Sequence, residues 1–464
     1  MIELELTEVA RLIGATAPVD GRVTADVEVD SRLVRPGGLF VALPGERVDG
    51  HDHAVAAVRA GAVAAVTSRP VDGVPCLVVP DPLAALQALA RAVHALEPEP
   101  LVLGITGSSG KTSTKDLLAQ VLPAFGETLA PQGSFNNELG LPLTALRRTA
   151  TTRFSALEYS ARGVGHIAFL CGIVPPHVAV VLNVGSAHLG EFGGREGIAQ
   201  AKGELVEAAR TAAVLNADDR YVLAMRSRTE RPCTTYGLSP DADVRADDVR
   251  LDDAGRASFR LQGEPVRLQL VGEHHVHNAL AVAAAVLGRV TEDVARVAEL
   301  LSAATPVSRW RMEVTERPDG VTVVNDAYNA NPESMRAALK TLAVMSAGKS
   351  RRTVAVLGPM AELGDDAREA HMDLGRFVVR LDIGQLVVVG AAAGGIHAGA
   401  VLEGSWGSES LHVPDVDAAV ALLQEQLEPG DVVLVKASRS AGLERVAAAL
   451  LADGARGSAP VEQS

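Results

Sequence analysis

Short apolar runs alternate along the chain with segments whose apolar positions recur every three or four residues, the pattern of strands followed by amphipathic helices. LTEVARLIGA has helical spacing, GLFVAL and CLVV read as strands, and HAVAAVRAGAVAAV reads as a helix and then a strand. LVLG, from Leu101, runs through a small-residue turn into the helical DLLAQVL. ALEYSA, with a strand end near Glu158, VAVVLNVG and AAVLNADD continue the pattern, and HNALAVAAAVLGRV predicts a helix. VTVVNDAY, RRTVAVLGPM, LVVVG and DVVLVKASRS then read as a third set of strand-then-loop units. Strands separated by helices imply parallel sheets covered on both faces, with ligands at the carboxyl ends of the strands.

The fold class is therefore α/β, and 464 residues favour two to three domains. EPEP, Glu97 to Pro100, reads as a linker because proline resists both helix and sheet, and ATPVSRW precedes the last unit. The expected division is 1–97, 98–305 and 306–464, with the small, polar ARGSAPVEQS at the end expected to be disordered. No repeat of fixed period is visible.

Composition narrows the function. A net charge of −14 and a pI near 5.4 disfavour general nucleic-acid binding, which needs clustered Lys and Arg. Cys76, Cys171 and Cys233 lie far apart, the first two within apolar runs, so buried structural thiols in a reducing cytoplasm are expected. MIELELTEVARL does not look like a signal peptide, and Pro175 and Pro176 interrupt the longest apolar stretch, so no membrane span is expected.

The clearest chemistry lies in GITGSSGKTSTK, between a strand and a helix N-terminus. Unpaired N–H groups and the helix dipole make a seat for phosphate there, and Gly107 and Gly110 let the backbone approach the anion. Lys111 can reach β and γ phosphates, and the Thr112 hydroxyl can ligate Mg²⁺. The general spacing wants Gly at position 105, where this chain has Ile105, with Gly104 one place early. The stretch is read as a nucleotide-phosphate site made of Thr106, Gly107, Ser108, Ser109, Gly110, Lys111, Thr112 and Ser113.

Other polar groups gather at strand ends. Glu158, Asn183, Gly185, Ser186 and His188 fall at or just past such ends, and Glu158, His188 and Lys202 could converge beside the phosphate loop. A metal reading of that trio is weakened by Lys202, which cannot ligate as an ammonium, and by imidazole, an unusual Mg²⁺ ligand. Asn325 to Pro332 caps a helix, yet its Asn, Asp and Tyr side chains also suit ribose and phosphate. Lys436 to Ser440 suits a carboxylate or phosphate. Asp30-Ser31-Arg32, Pro36-Gly37-Gly38 and Asp49-Gly50-His51 are consistent with plain turn chemistry. Gly163 to Ala168 fits a dinucleotide fingerprint formally, but is better read as a turn into a helix.

Together these segments resemble one family, the Mur ligases of peptidoglycan synthesis. The resemblance rests on DSRLVRPGGLFVALPGERVDGH, GITGSSGKTSTK, GSFNNELGLPLTAL, NVGSAHLGEFGGREGIAQAKGEL, GEHHVHNALA, NDAYNANPESM, GPMAELG and VKASRS. NDAYNANPESM and GPMAELG point to the branch that joins D-Ala-D-Ala to a UDP-N-acetylmuramoyl-tripeptide, and Ile105 is the family's own form of the loop. The resemblance implies an N-terminal domain for the uridine end, a central P-loop ATPase and a C-terminal Rossmann-like domain. It also implies ATP-dependent amide formation through an acyl phosphate, releasing ADP and phosphate, by a cytoplasmic monomer that contacts no nucleic acid.

Residue by residue, the resemblance implies that Lys111 and Thr112 serve the γ-phosphate and one Mg²⁺, with Glu158 as a metal ligand. His188 would serve a second Mg²⁺, and Lys202 matches a carbamylated lysine, whose carbamate is anionic. Asn278, Arg311 and Asp326 match nucleotide-holding positions, Arg311 being preferred to Arg309 because Met312 continues the match. Ser31 and Arg32 match a UDP-substrate loop, and Asn136, Asn137, Tyr328, Asn329, Lys436, Ser438 and Arg439 fall in matching segments assigned to substrate. Whether the third tripeptide residue is diaminopimelate or lysine stays open. So do two rivals, a sibling ligase adding another amine and a nucleotide switch; a GTPase would want Asn-Lys-x-Asp where Asn216-Ala217-Asp218-Asp219 stands.

Overall fold

A computed structural model describes residues 1–16, 20–45, 48–131, 133, 135–185, 192–346, 351–405 and 407–456. Those residues form three α/β units in chain order.

The first carries a four-stranded parallel sheet in the order Val27–Glu28, Leu39–Val41, Ala64–Thr67, Cys76–Val78, beside a small antiparallel pair, Leu4–Glu5 with Arg22–Val23. Helix Pro82–His94 closes it, with Pro82 in the first turn and the Asp81 carboxylate accepting the N–H groups of Leu83 and Ala84. Leu86, Leu89 and Val93 on that helix are buried and join a core shared with the next unit.

The central sheet has nine strands. Seven are parallel, in the order Val244–Leu251, Cys233–Gly237, Ala212–Asn216, Val178–Val181, Leu101–Thr106, Phe154–Glu158, Thr128–Leu129. The near-continuous Val, Ala and Leu content of the inner strands suits burial on both faces. The parallel order ends at Val244–Leu251, from which an antiparallel meander, Arg256–Leu261 and Glu264–Val271, extends the sheet. The mostly parallel sheet expected of the central domain is thus found, with that antiparallel meander at one edge. Its alternating polar and apolar residues bury one face only, which covers helix Val294–Ala303.

The third unit is a six-stranded sheet in the order Glu313–Glu316, Thr322–Asn325, Val432–Lys436, Thr353–Leu357, Gln385–Val389, Ser410–Val413. All but the exposed antiparallel first strand are parallel. Helix Glu444–Arg456 runs into the first two residues of the tail segment; the other eight lie outside the described residues. Cys171 is buried and its thiol is pushed up to about 12 by burial, whereas Cys76 is only half-buried, correcting its reading as a core thiol.

Candidate functional site

The strand Leu101–Thr106 sits between Val178–Val181 and Phe154–Glu158, so its carboxyl end opens onto the middle of the central sheet. The chain turns there through Gly107 to Gly110 into helix Lys111–Val121. Gly110 has φ +82°, and a Cβ on it would lie 2.6 Å from the Asn278 amide oxygen; one on Gly107 would lie 2.9 Å from Leu182 Cβ. Asn183 holds the turn: its side-chain oxygen accepts the Ser109 N–H at 2.9 Å, and its carbonyl accepts that of Ser108 at 3.1 Å. Lys111 curls over the loop and donates to the Gly107 carbonyl at 2.6 Å.

Glu158 ends the adjacent strand with 0% exposure. Asn136 donates to one of its carboxylate oxygens at 3.3 Å, and the other is buried without a hydrogen-bond partner. Burial pushes the Glu158 pKa up; Lys111, Arg311 and Lys115, together with a Thr112 hydrogen bond, oppose that rise. A buried carboxylate with an orphan oxygen beside a threonine hydroxyl fits a hard cation that also takes phosphate oxygens. Lys202 is buried on helix Arg195–Ala208, with no hydrogen bond or ion pair to any described residue. Burial, and then the neighbouring charge of Lys111, push its pKa far down. Among the described residues no three His, Cys, Asp or Glu side chains gather as a metal cluster, and His188 lies outside them.

The C-terminal sheet faces this end of the central sheet across a cavity of about 1050 Å³. Arg311 crosses to it, donating to Thr112 Oγ1 at 2.9 Å with its guanidinium 4.2 Å over the Tyr328 ring. Trp310 and Met312 on either side have φ of +59° and +49°, so strained backbone brackets the arginine. Arg309 is exposed and lines no part of the cavity. Asp326 accepts from Lys436 Nζ at 2.6 Å and from the Met312 N–H at 3.1 Å. Tyr328, Asn329, Ser438 and Arg439 share its wall.

Three expected residues stand apart. Ser31 and Arg32 lie on a loop of the first unit and line no part of the cavity; Arg32 is 87% exposed and paired with Asp30 at 2.6 Å. Asn137 caps helix Gly140–Ala145, its side-chain oxygen accepting the Gly140 N–H at 2.8 Å. The formal dinucleotide fingerprint is a turn into helix His166–Ile173, where the Glu204 carboxylate already takes the Gly165 and Ala168 N–H groups at 2.5 and 2.9 Å.

Other cavity residues were not singled out from sequence. Asn331 reaches the Ser108 carbonyl at 3.4 Å, and Glu333 lies 3.5 Å from Arg195. Asp218, bonded to His277 at 2.8 Å, and Glu362 also line it. The available signal was position, since each lies beyond the end of a strand of a parallel sheet.

Models of the Mur ligase family match most of the chain: the catalytic domain over 25–94, the middle domain over 105–286 and the glutamate ligase domain over 310–439. A Mycobacterium tuberculosis UDP-N-acetylmuramoyl-tripeptide–D-alanyl-D-alanine ligase is 50% identical over 99% of both chains. The Escherichia coli protein of that name is 34% identical over 97% of this chain and 98% of its own. Among solved structures, MurF from Acinetobacter baumannii superposes with a TM-score of 0.87 at 30% identity, over 97% of this chain and 99% of that one. MurF ligase from Thermotoga maritima in complex with ADP gives 0.80 at 30% identity, over 94% and 99%.

Proposed function

We propose, for a chain that belongs to the Mur ligase family, an ATP-dependent ligase that joins D-Ala-D-Ala to the UDP-N-acetylmuramoyl-tripeptide in peptidoglycan synthesis. The observation that carries this reading is the contact of Arg311 with Thr112 at 2.9 Å, which brings a second domain's cation onto the phosphate loop.

Bringing a carboxylate to a triphosphate means bringing two anions together, so cations must neutralise the developing charge. Lys111, at the mouth of the loop, exchanges its bond to the Gly107 carbonyl for the γ-phosphate, and Arg311 meets the same group from the opposite domain. The tripeptide carboxylate then displaces ADP to give an acyl phosphate. The dipeptide amine attacks its carbonyl carbon, losing a proton, and phosphate leaves. Thr112 and Glu158 would hold one Mg²⁺, whose positive charge would offset the negative charge of the phosphate groups. Asn278, packed against Gly110, and Asp326, tied to Lys436, are assigned to the nucleotide.

Lys202 is assigned as a carbamate. Support comes from its burial without a described partner, and from a depressed pKa that supplies the neutral amine needed to add carbon dioxide. Lys202→Ala is expected to lose most activity and to regain part of it with short carboxylic acids. His188 is assigned to a second Mg²⁺ on the family resemblance alone. Ser31 and Arg32 are assigned to the UDP end and the work to the cytoplasm, both on the family resemblance; separately, no helix among the described residues is long and apolar enough to span a membrane.

The test is coupled ADP release. ADP and phosphate are expected only when UDP-muramoyl-tripeptide and D-Ala-D-Ala are both present. AMP as product, or glutamate as the required amine, overturns the reading.

A further inference from the structure

We propose that Glu362 and Arg439 form a seat for the two ends of the zwitterionic amine substrate, Glu362 taking its ammonium and Arg439 its carboxylate. This rests on the ligase reading above and names what holds the second substrate.

On the C-terminal wall of the cavity, Lys436 and Asp326 are engaged with each other at 2.6 Å, and the lysine side chain is 3% exposed. Glu333 is turned toward Arg195 of the central unit, at 3.5 Å. Glu362 is exposed on the cavity wall, and the Arg439 side chain is 50% exposed. A dipeptide with free ends carries one charge of each sign, so its seat needs a carboxylate and a guanidinium from neighbouring loops.

Those loops are stitched together. They leave the paired parallel strands Thr353–Leu357 and Val432–Lys436 side by side. The Gly358 N–H donates to the Lys436 carbonyl at 3.0 Å, the Ser438 N–H to the Pro359 carbonyl at 3.0 Å, and the Ala361 N–H to Ser438 Oγ at 2.8 Å. The Met360 N–H is held by His371 Nε2 at 3.0 Å, and Leu363 is buried, so both flanks of Glu362 are fixed. Between them Glu362 has φ +65°, a conformation L side chains rarely adopt and which glycine would take more readily. Strained backbone at a cavity wall invites a functional reading of the side chain it presents. Arg439 is oriented by Glu444 at 2.6 Å and by the Trp310 ring, 4.2 Å from its guanidinium.

Steady-state ADP release by the full chain tests the seat, with D-Ala-D-Ala varied at saturating ATP and UDP-muramoyl-tripeptide. Glu362→Gln and Glu362→Gly are each expected to raise the KM for D-Ala-D-Ala about 10- to 100-fold, the scale of one lost charge-assisted hydrogen bond, with the KM for ATP within about twofold. Glu362→Gly is expected to melt no earlier than the parent, because it relieves the left-handed backbone. D-Ala-D-Ala with an amidated C-terminus is expected to bind the parent about tenfold more weakly, and Arg439→Gln to erase that difference. A dipeptide KM within about twofold in E362Q, or an ATP KM rising in parallel, overturns the seat alone. A parent chain that releases no ADP with D-Ala-D-Ala overturns the ligase reading and the seat together.

Discussion

The chain has two joints between its units, and they are built from opposite materials. Between the N-terminal and central sheets one apolar core runs through without a break, uniting Leu6, Leu39 and Leu89 with Leu141, Leu170 and Leu205. Arg148 crosses that joint with 0% exposure, donating to the carbonyls of Val93, His94, Leu96 and Pro98 at 3.2, 2.8, 2.9 and 2.7 Å. The joint between the central and C-terminal sheets is polar and surrounds the large cavity. Most of its contacts are directed and polar: Arg311 to Thr112, Asn331 to Ser108, Ser308 to Asp116 at 2.6 Å, and Arg195 with Glu333 at 3.5 Å; the apolar exception is Val271, which packs into the C-terminal core. Apolar burial is directionless and cooperative, so the first joint behaves as a weld. A polar interface around a cavity exchanges its bonds with an entering ligand, so the second joint is where substrates act.

The largest expected effect tests that division from the catalytic side. Lys111→Ala is expected to lower the turnover number about a thousandfold, by removing a cation aimed at the developing charge. The same change is expected to leave the thermal midpoint unchanged or raise it. Burial pushes the Lys111 pKa down, so its charged form costs folding free energy. Activity assays paired with melting curves decide the point. A midpoint several degrees lower would mean that the phosphate loop is structural glue, and the contrast between the joints would fail.

The same division explains what could be read from the chain alone. Strands such as Val178–Val181 and Val432–Lys436 were legible because burial on both faces requires continuous apolar runs, and the Gly-Lys-Thr turn because its chemistry is contiguous. The meander from Val244 to Val271 was missed: VRADDVRL carries too many charges to look buried until the neighbouring helix shows that one face alone is covered. Arg148 carried no signal, since its four partners are main-chain carbonyls and carbonyls have no sequence. Glu362 was quoted within a motif, but its left-handed backbone and the cavity beside it exist only in three dimensions. Arg311 is set apart from Arg309 in sequence by its neighbour Met312, and in space by its contact with Thr112.

The second prediction probes the weld. Arg148→Leu keeps the bulk and removes the donors to four carbonyls, three of them between residues 93 and 96. Leaving buried carbonyls unsatisfied is expected to cost about 3 kcal/mol, measured by urea unfolding. The KM for ATP is expected to stay within about twofold, because no bond of the second joint changes. A loss of ATP affinity comparable to the loss of stability would mean that the weld and the nucleotide site are coupled, and that the two joints are one mechanical unit.

The third prediction sets a pH at which the weld loosens. His94 ends the helix that closes the N-terminal unit, 2% exposed, and its carbonyl is one of the Arg148 acceptors. Burial, with the charge of Arg148 and then His177 adding to it, lowers its pKa from 6.5 to about 4. The folded pKa lies below the unfolded one, so the folded chain holds the neutral ring. The stabilisation is complete above pH 6.5 and is lost as the pH falls toward 4. Between pH 7 and 5 this single group is expected to remove about 2 kcal/mol. His274, on the cavity side, also has a pKa lowered to about 4 by burial, so the parent chain loses more than this share. His94→Gln isolates the share of the weld: its urea-unfolding free energy is expected to fall about 2 kcal/mol less than the parent's over the same interval. Parallel curves for parent and variant would show that acid acts through other groups, and that His94 does not make the N-terminal weld sensitive to protonation.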